Sequence, residues 1–444
     1  MRGLRTLIIL VVIAIPLGYL VYRDTQRAPG DDEPKKDKVF TVDSEKIDEI
    51  SIKAEGGDQT RLQKTGGAWR IVAPVAADPD SSEISQLTTN LSTLEMQRVV
   101  DENAPDLKEY GLAQPRIEVT FKAGGEPQTL QIGQKTPPGS DLYARRGNEN
   151  KVFLIPVHVE GTFNKKPFDL RDKSAVKVDR DKLDAVEIVS GDRTTRFAKP
   201  AGEWRIAAPA EGRADSSAIE GLISRITGLQ MKAVIAEADG DPKKFGLEKP
   251  VATIRFGTGS SQASVVIGLP AEEGTVYARD LSRPAVFTVE SSVLDDLKKD
   301  ALEYRQKDLF DARSFNATRV ELVRAGQTSA FEKTKVKNKE GQDEEKWRQI
   351  SPQARDLDPA SFDTLLSALT GARASAWGNE PAAAKALAAP EFTATVKFDE
   401  GKEERVTFAK AGADAFASRA GEPGTAKIDA TTVDSIVKAL QELK

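Results

Sequence analysis

The stretches "AWRIVAP" (68–74), "EWRIAAP" (203–209) and "KWRQISP" (346–352) decide how this chain is read. Each sets Trp-Arg ahead of a proline five residues after the Trp. Trp204 follows Trp69 by 135 residues, and the same spacing separates Asp80 from Asp215, Gly111 from Gly246 and Gly133 from Gly268. "LYAR" (142–145) and "VYAR" (276–279) stand 134 apart, as do Arg171 and Arg305. A register held from Trp69 to Arg171 marks an internal repeat. The third copy is looser. Trp347 and Asp358 lie 143 residues after Trp204 and Asp215, with the excess in the charged stretch "KTKVKNKEGQDEEK" (333–346). There "FGLEKP" (245–250) becomes "KALAAP" (385–390), and "VYAR" becomes "AFAS" (415–418). The repeat units are placed at 40–175, 176–309 and 310–444, each the size of an ordinary domain rather than a solenoid repeat of about 20–45 residues.

Within a unit the pattern changes period. Ile47, Ile50 and Ile52 alternate, as do Leu183, Val186 and Ile188, and period two predicts a half-buried strand. The Trp-Arg strand follows, with Trp204, Ile206 and Ala208 expected inward, Arg205 outward, and Pro209 ending the ladder. Asp80, Asp215 and Asp358 each precede an apolar stripe at helical spacing: Ile84, Leu87, Leu91 and Leu94; Ile219, Leu222, Ile223, Ile226 and Leu229; Phe362, Leu365, Leu366 and Leu369. These aspartates read as N-caps of a core-facing helix. "KEYGLAQP" and "KKFGLEKP" read as helical turns stopped by a left-handed glycine, and Ala386 in that place puts the same cap in question in the third copy. Short strands follow ("RIEVTFKA", "QTLQIG", "LYARR", "KVFLIP"), then a closing helix over "ESSVLDDLKKDALEY" (290–304). The expected fold is α+β: three tandem units of mainly antiparallel sheet with helices on one face, after an N-terminal transmembrane helix.

That helix is expected from "MRGLRTLIILVVIAIPLGYLVYRDTQR", uncharged from Thr6 to Tyr22 between Arg5 and Arg23. Seventeen residues rising about 1.5 Å each suffice for a marginal span, and no small-residue cleavage site follows. Residues 1–23 are therefore read as a signal anchor and 24–39 as a charged tether, with the rest of the chain outside the cytoplasm. The net charge is −5 with both signs interspersed, so no basic footprint for nucleic acid exists. There is no cysteine, which removes disulfides, thiolate nucleophiles and Cys-ligated metals.

The combination of anchor, "WRIxxP", capping Asp, "YGLxxP", "IG", "YAR" and "LRDK" resembles the bacterial family DUF4340, in tandem copies over residues 40–444. The resemblance implies a membrane-anchored envelope protein whose genes stand beside ABC transporter components like those of gliding-motility systems. It supplies no catalytic residues. The residues themselves offer little chemistry. His158 is the only histidine, and no phosphate-binding glycine loop or nucleophile elbow occurs. No catalytic, cofactor or metal site is expected, and no nucleotide partner. Arg70, Arg205 and Arg348 remain candidates for an anionic partner, and Tyr143 and Arg145 with Tyr277 and Arg279 for a repeated groove. Local pairing and packing are the competing roles. Arg171 and Arg305, at the repeat ends, are expected to bind carbonyls or carboxylates between units. The expected function is a non-catalytic scaffold or accessory protein of an envelope transport system, anchored in the inner membrane and holding protein partners. An envelope module binding glycan, lipid or peptide, and an envelope hydrolase, are the alternatives.

Overall fold

The structure is a computed structural model that describes residues 36–443 except 239, 260, 338–341 and 400. The expected membrane anchor and most of the tether lie outside the described residues. Among those described, no helix is long and apolar enough to cross a membrane. Two compact units divide the chain, one ending at Asp172 and one beginning at Lys173. The first holds one sheet and the second holds two.

The first sheet contains β1 (Glu49–Lys53), β2 (Gln59–Thr65), β3 (Ala68–Ala73), β4 (Arg98–Asp101), β5 (Ile117–Lys122), β6 (Gln128–Lys135), β7 (Asp141–Arg146) and β8 (Val152–Pro156), in the order β3-β2-β1-β5-β6-β7-β8-β4. The second contains β9 (Ala185–Ser190), β10 (Arg193–Ala198), β11 (Arg205–Ala208), β12 (Gly212–Arg213), β13 (Ala233–Ala236), β14 (Ala252–Thr258), β15 (Ser261–Pro270), β16 (Thr275–Asp280) and β17 (Val286–Glu290). Its order is β12-β11-β10-β9-β14-β15-β16-β17-β13. The third contains β18 (Ala317–Arg324), β19 (Gln327–Lys337), β20 (Asp343–Ser351), β21 (Arg355–Asp356), β22 (Ala374–Gly378), β23 (Phe392–Phe398), β24 (Lys402–Ala411), β25 (Asp414–Arg419) and β26 (Thr425–Ile428). It repeats the second as β21-β20-β19-β18-β23-β24-β25-β26-β22. The fold is α+β with three antiparallel sheet units, as the repeat register requires.

In each unit one helix joins the two opposite edge strands, so it must cross the sheet. These are α1 (Ser81–Thr93), α2 (Ser216–Thr227) and α3 (Pro359–Thr370). Their apolar stripes face the core: Ile84, Leu87 and Leu91 of α1 pack with Ile50, Ile52, Leu62 and Val119 of the sheet. The starts are fixed by the three aspartates. Asp80 accepts from the Ser82 amide at 2.8 Å, Asp215 from Ala218 at 3.0 Å and Asp358 from Ser361 at 2.9 Å. The N-terminal amides of a helix have no internal partner, and each carboxylate supplies one.

The Trp-Arg strand differs from simple alternation. Each copy carries a bulge, leaving Val72, Ala207 and Ile350 without a cross-strand partner, and each following proline is joined by a cis peptide. The bulge restarts the alternation, so Trp204 and Ile206 are buried but Ala208 is only half-buried. The closing helix expected over 290–304 is instead two short pieces, Val293–Leu297 and a 3-10 turn at Ala301–Tyr304. In the third unit that place is taken by a full helix, Ala430–Gln441. The charged stretch 333–346 there lengthens a hairpin, pairing Lys335 with Glu345 and Lys337 with Asp343.

Candidate functional site

The three repeated arginines sit outward on edge hairpins. Arg70 pairs with Asp78, and Arg348 pairs with Asp356 at 2.7 Å. Arg205 faces Arg213 across the β11–β12 pair, where the other copies have the aspartate. Exposed pairs of this kind are weakly stabilising and screened by salt.

The tyrosine groove is occupied by the protein itself. Tyr143 meets Tyr110 at 5.1 Å between ring centres, and Tyr277 meets Phe245 at 4.8 Å, both tilted by 57°. Burial pushes the Tyr110 hydroxyl up. The aromatic Tyr110 and Phe245 belong to the "YGL" and "FGL" turns, which bring them over the sheet. Gly111 and Gly246 hold φ of +67° and +69°, the left-handed region that favours glycine. The second glycine of each repeat lies beneath. A Cβ on Gly133 or Gly268 would stand 2.1 Å from the carbonyl of Tyr110 or Phe245. The next amides, Gln134 and Leu269, donate to those carbonyls at 2.9 Å. Arg145 turns away from the rings to Gln131 at 2.5 Å, and Arg279 donates to the Arg283 carbonyl at 3.3 Å.

Arg171 and Arg305 close their repeats beside the helix start. Arg171 bridges Pro79, and Arg305 bridges Ala214. Arg305 is 4% exposed and lies within a buried charge cluster joining the second and third repeats. Its guanidinium donates to the Pro423 carbonyl at 2.6 Å and to Glu422 at 2.8 Å, and stacks 3.6 Å from the Trp377 ring. Arg213 reaches the same Glu422, then Asp311, and the Asp308 carbonyl at 2.7 Å. Arg419 completes the set with Glu404 at 2.9 Å and Asp311 at 3.4 Å. Glu404 also accepts the amides of Asp311 and Ala312 at 2.9 and 3.2 Å. Burial pushes Glu422 up, but Arg213, Arg305 and Arg419 outweigh it and hold the carboxyl below its ordinary value. Burial wins at Glu404, which is raised.

Sequence reasoning found Arg305 but missed Arg213, Asp311, Glu404, Arg419 and Glu422. It also missed an element common to all repeats. Arg146 donates to the Val39 carbonyl at 3.2 Å, Arg283 to Ala175 at 2.8 Å and Arg419 to Leu309 at 3.1 Å. Each guanidinium ties the entering chain to its own sheet. The arginine changes place, however: Arg146 and Arg419 pair with Glu149 and Glu422 three residues on, whereas Arg283 pairs with Asp280 three residues before. A motif whose members exchange positions leaves no constant letter in the sequence.

The comparisons fit this account of motifs that build the fold. The family described as "Domain of unknown function (DUF4340)" matches residues 69–203 and 204–391. The chain belongs to the DUF4340 family. Both matched segments begin at a Trp, Trp69 and Trp204, so the DUF4340 window opens inside the β2–β3 and β10–β11 hairpins rather than at a sheet boundary. No curated protein matches the chain. A solved DnaN sliding clamp (DNA polymerase III subunit beta) from Pseudomonas aeruginosa, bound to griselimycin, is similar at 10% identity over 88% of this chain and 93% of that one. Its TM-score is 0.15, at which no common fold is implied.

Beyond the DUF4340 motifs, His158 is exposed on a 3-10 turn, Val157–Val159. Among the described residues no group of His, Asp or Glu is placed to hold a metal ion. A cavity of about 290 Å³ opens beside the end of α2, lined by Arg225, Lys232, Glu290 and Asp296. Its charges are already matched, Arg225 to Asp296 at 2.7 and 2.9 Å and Lys232 to Glu290 at 2.5 Å.

Proposed function

We propose that this DUF4340 chain is a non-catalytic scaffold or accessory subunit of an envelope transport system, anchored by residues 1–23 and displaying three related units outside the cytoplasm. The observation that carries the reading is how the recurrent polar residues are used. Asp80, Asp215 and Asp358 cap helices, and Arg146, Arg283 and Arg419 hold entering chain. Residues committed to backbone groups in every copy are unavailable as acids, bases or ligands, which favours a display role over catalysis. The apolar stretch Thr6–Tyr22 between arginines supports the anchor, and the family resemblance supports the transporter.

Two measurements test this. A reporter fused after Lys444 is expected to be active only outside the cytoplasm; activity confined to the cytoplasm overturns the topology. Crosslinking in intact membranes, then gentle solubilisation and purification, is expected to recover permease or ATPase subunits. Recovery of the chain alone overturns the accessory role.

A further inference from the structure

We propose that the second and third repeats are locked into one rigid body by Arg213 and Arg305 set against Asp311 and Glu422, with Glu422 as the keystone. The connection between these repeats has no slack. Gln306 donates its amide to the Arg213 carbonyl at 3.1 Å, which holds it to the second repeat. The next residue, Lys307, accepts from Ala374 at 2.7 Å, and Leu309 donates to Ala372 at 3.0 Å, which holds them to the third. The chain therefore passes from one sheet unit to the other across the single junction 306–307. Joined through adjacent residues, the units still need side chains to fix their angle, because one junction leaves its dihedrals free to turn.

Those side chains converge on one carboxylate. Glu422, with a side chain 8% exposed, receives Arg213 and Arg305 from the second repeat and Arg419, at 3.4 Å, from its own. Trp377 of the third repeat packs against Arg305 and donates to the Gln306 carbonyl at 3.1 Å. The apolar part of the seam is incompletely filled, with a cavity of about 70 Å³ among Ile206, Pro209, Leu302 and Pro423. Without the Glu422 charge, Arg213 and Arg419 keep Asp311 and Glu404, while Arg305 is left buried with only the Pro423 carbonyl and the Trp377 ring. Removing one partner from a buried pair strands the other, and here the repulsion drives the two repeats apart.

The chain has no cysteine, so spin labels on T194C in the second repeat and K438C in the third report the angle directly. The unaltered background is expected to give one narrow distance. E422Q, which keeps shape and removes charge, is expected to broaden it, with the helical circular dichroism retained. Exchange of the Trp377 indole N–H, which donates to the Gln306 carbonyl across the seam, should rise at least about tenfold, as expected for breaking a buried pair. E404Q is the control, because Glu404 contacts only third-repeat groups. It is expected to destabilise the third repeat while leaving the distance narrow. A narrow distance in E422Q overturns the lock, as does equal broadening in E404Q. If E422Q does not fold, R213M is read in its place from the second-repeat side, and a narrow distance there is equally fatal.

Discussion

The second and third repeats share a strand order but cover the outer face of the sheet in different ways. In the second, the carbonyl of Phe245 lies where a Cβ at position 268 would go, and Gly246 turns left-handed above it. In the third both glycines are alanines, Ala386 and Ala409, and the turn is replaced by a regular helix at Pro381–Leu387 that packs on β24 and β25. Ala409 is fully buried there. The two glycines thus form one device, retained or lost together. A backbone-to-backbone approach needs both, and a helix that stands one side chain higher needs neither.

The largest way to break this contrast is Gly268→Ala. A methyl 2.1 Å from a backbone carbonyl forces the turn off the sheet, and we expect a loss of about 3 kcal/mol or more in urea unfolding. Ala409→Gly in the third repeat should cost only about 1 kcal/mol, since it removes one buried methyl and adds backbone freedom. Equal costs would show that the third repeat uses the same close approach. The Trp residues give the next contrast. Trp204 is 4% exposed and donates to Glu220 at 2.7 Å, whereas Trp347 is half-buried against Phe362 at 4.7 Å. Trp204→Ala should cost about 3–5 kcal/mol and Trp347→Ala clearly less, measured by the same melts.

Acid separates the carboxylates at the seam. Asp311 is pushed up by burial, but Arg213 and Arg419 pull it further down, so it and Glu422 both titrate below their ordinary values. Their stabilisation is complete above those values, near 3.8 and 4.5, and is lost as pH falls through the depressed folded ones. Glu404, raised by burial, has the opposite sign: its contribution is present below 4.5 and fades as pH rises through its folded value. Thermal melts of E404Q should therefore lose stability with acid more steeply than the unaltered chain. E422Q should lose it less steeply, and the reverse order would mean that the two carboxylates have been assigned the wrong roles.

Much of this was legible in the sequence where a role demanded one residue type at one place. A left-handed turn calls for glycine, a helix start for Asp, and a core stripe for apolar residues at fixed intervals, so Gly111, Asp80 and Leu87 mark themselves. The strand order was not legible, because alternation shows that a strand has two faces without naming its neighbours. Nor was the charge cluster. Position 283 is Arg and its counterpart 422 is Glu, while 280 is Asp and its counterpart 419 is Arg, so the pair survives with its letters exchanged. The bulge was hidden for a similar reason. Val72, Ala207 and Ile350 are apolar like the core positions beside them, so nothing marks them as the extra residue.

Caps should behave alike in both repeats despite the other differences. Asp215→Ala and Asp358→Ala each remove an acceptor from an otherwise orphaned amide, at 3.0 and 2.9 Å, and each should cost about 1 kcal/mol. A much larger cost at one site would show that its aspartate also supports something beyond the helix.

The smallest effects belong to the arginines that first made the repeats visible. Arg348→Ala removes an exposed pair with Asp356 and should cost no more than about 0.5 kcal/mol. Arg205→Ala should cost nothing or stabilise slightly, because Arg205 stands opposite Arg213 and like charges across a strand pair repel. These near-neutral values make the two positions useful as functional probes. The double variant R205A/R348A should melt with the unaltered chain, so any partner lost from its crosslinked complexes is lost for want of the outward charges and not for want of a fold. Retention of every partner would reduce the Trp-Arg pair to its inward half, a core tryptophan followed by a solvated cation.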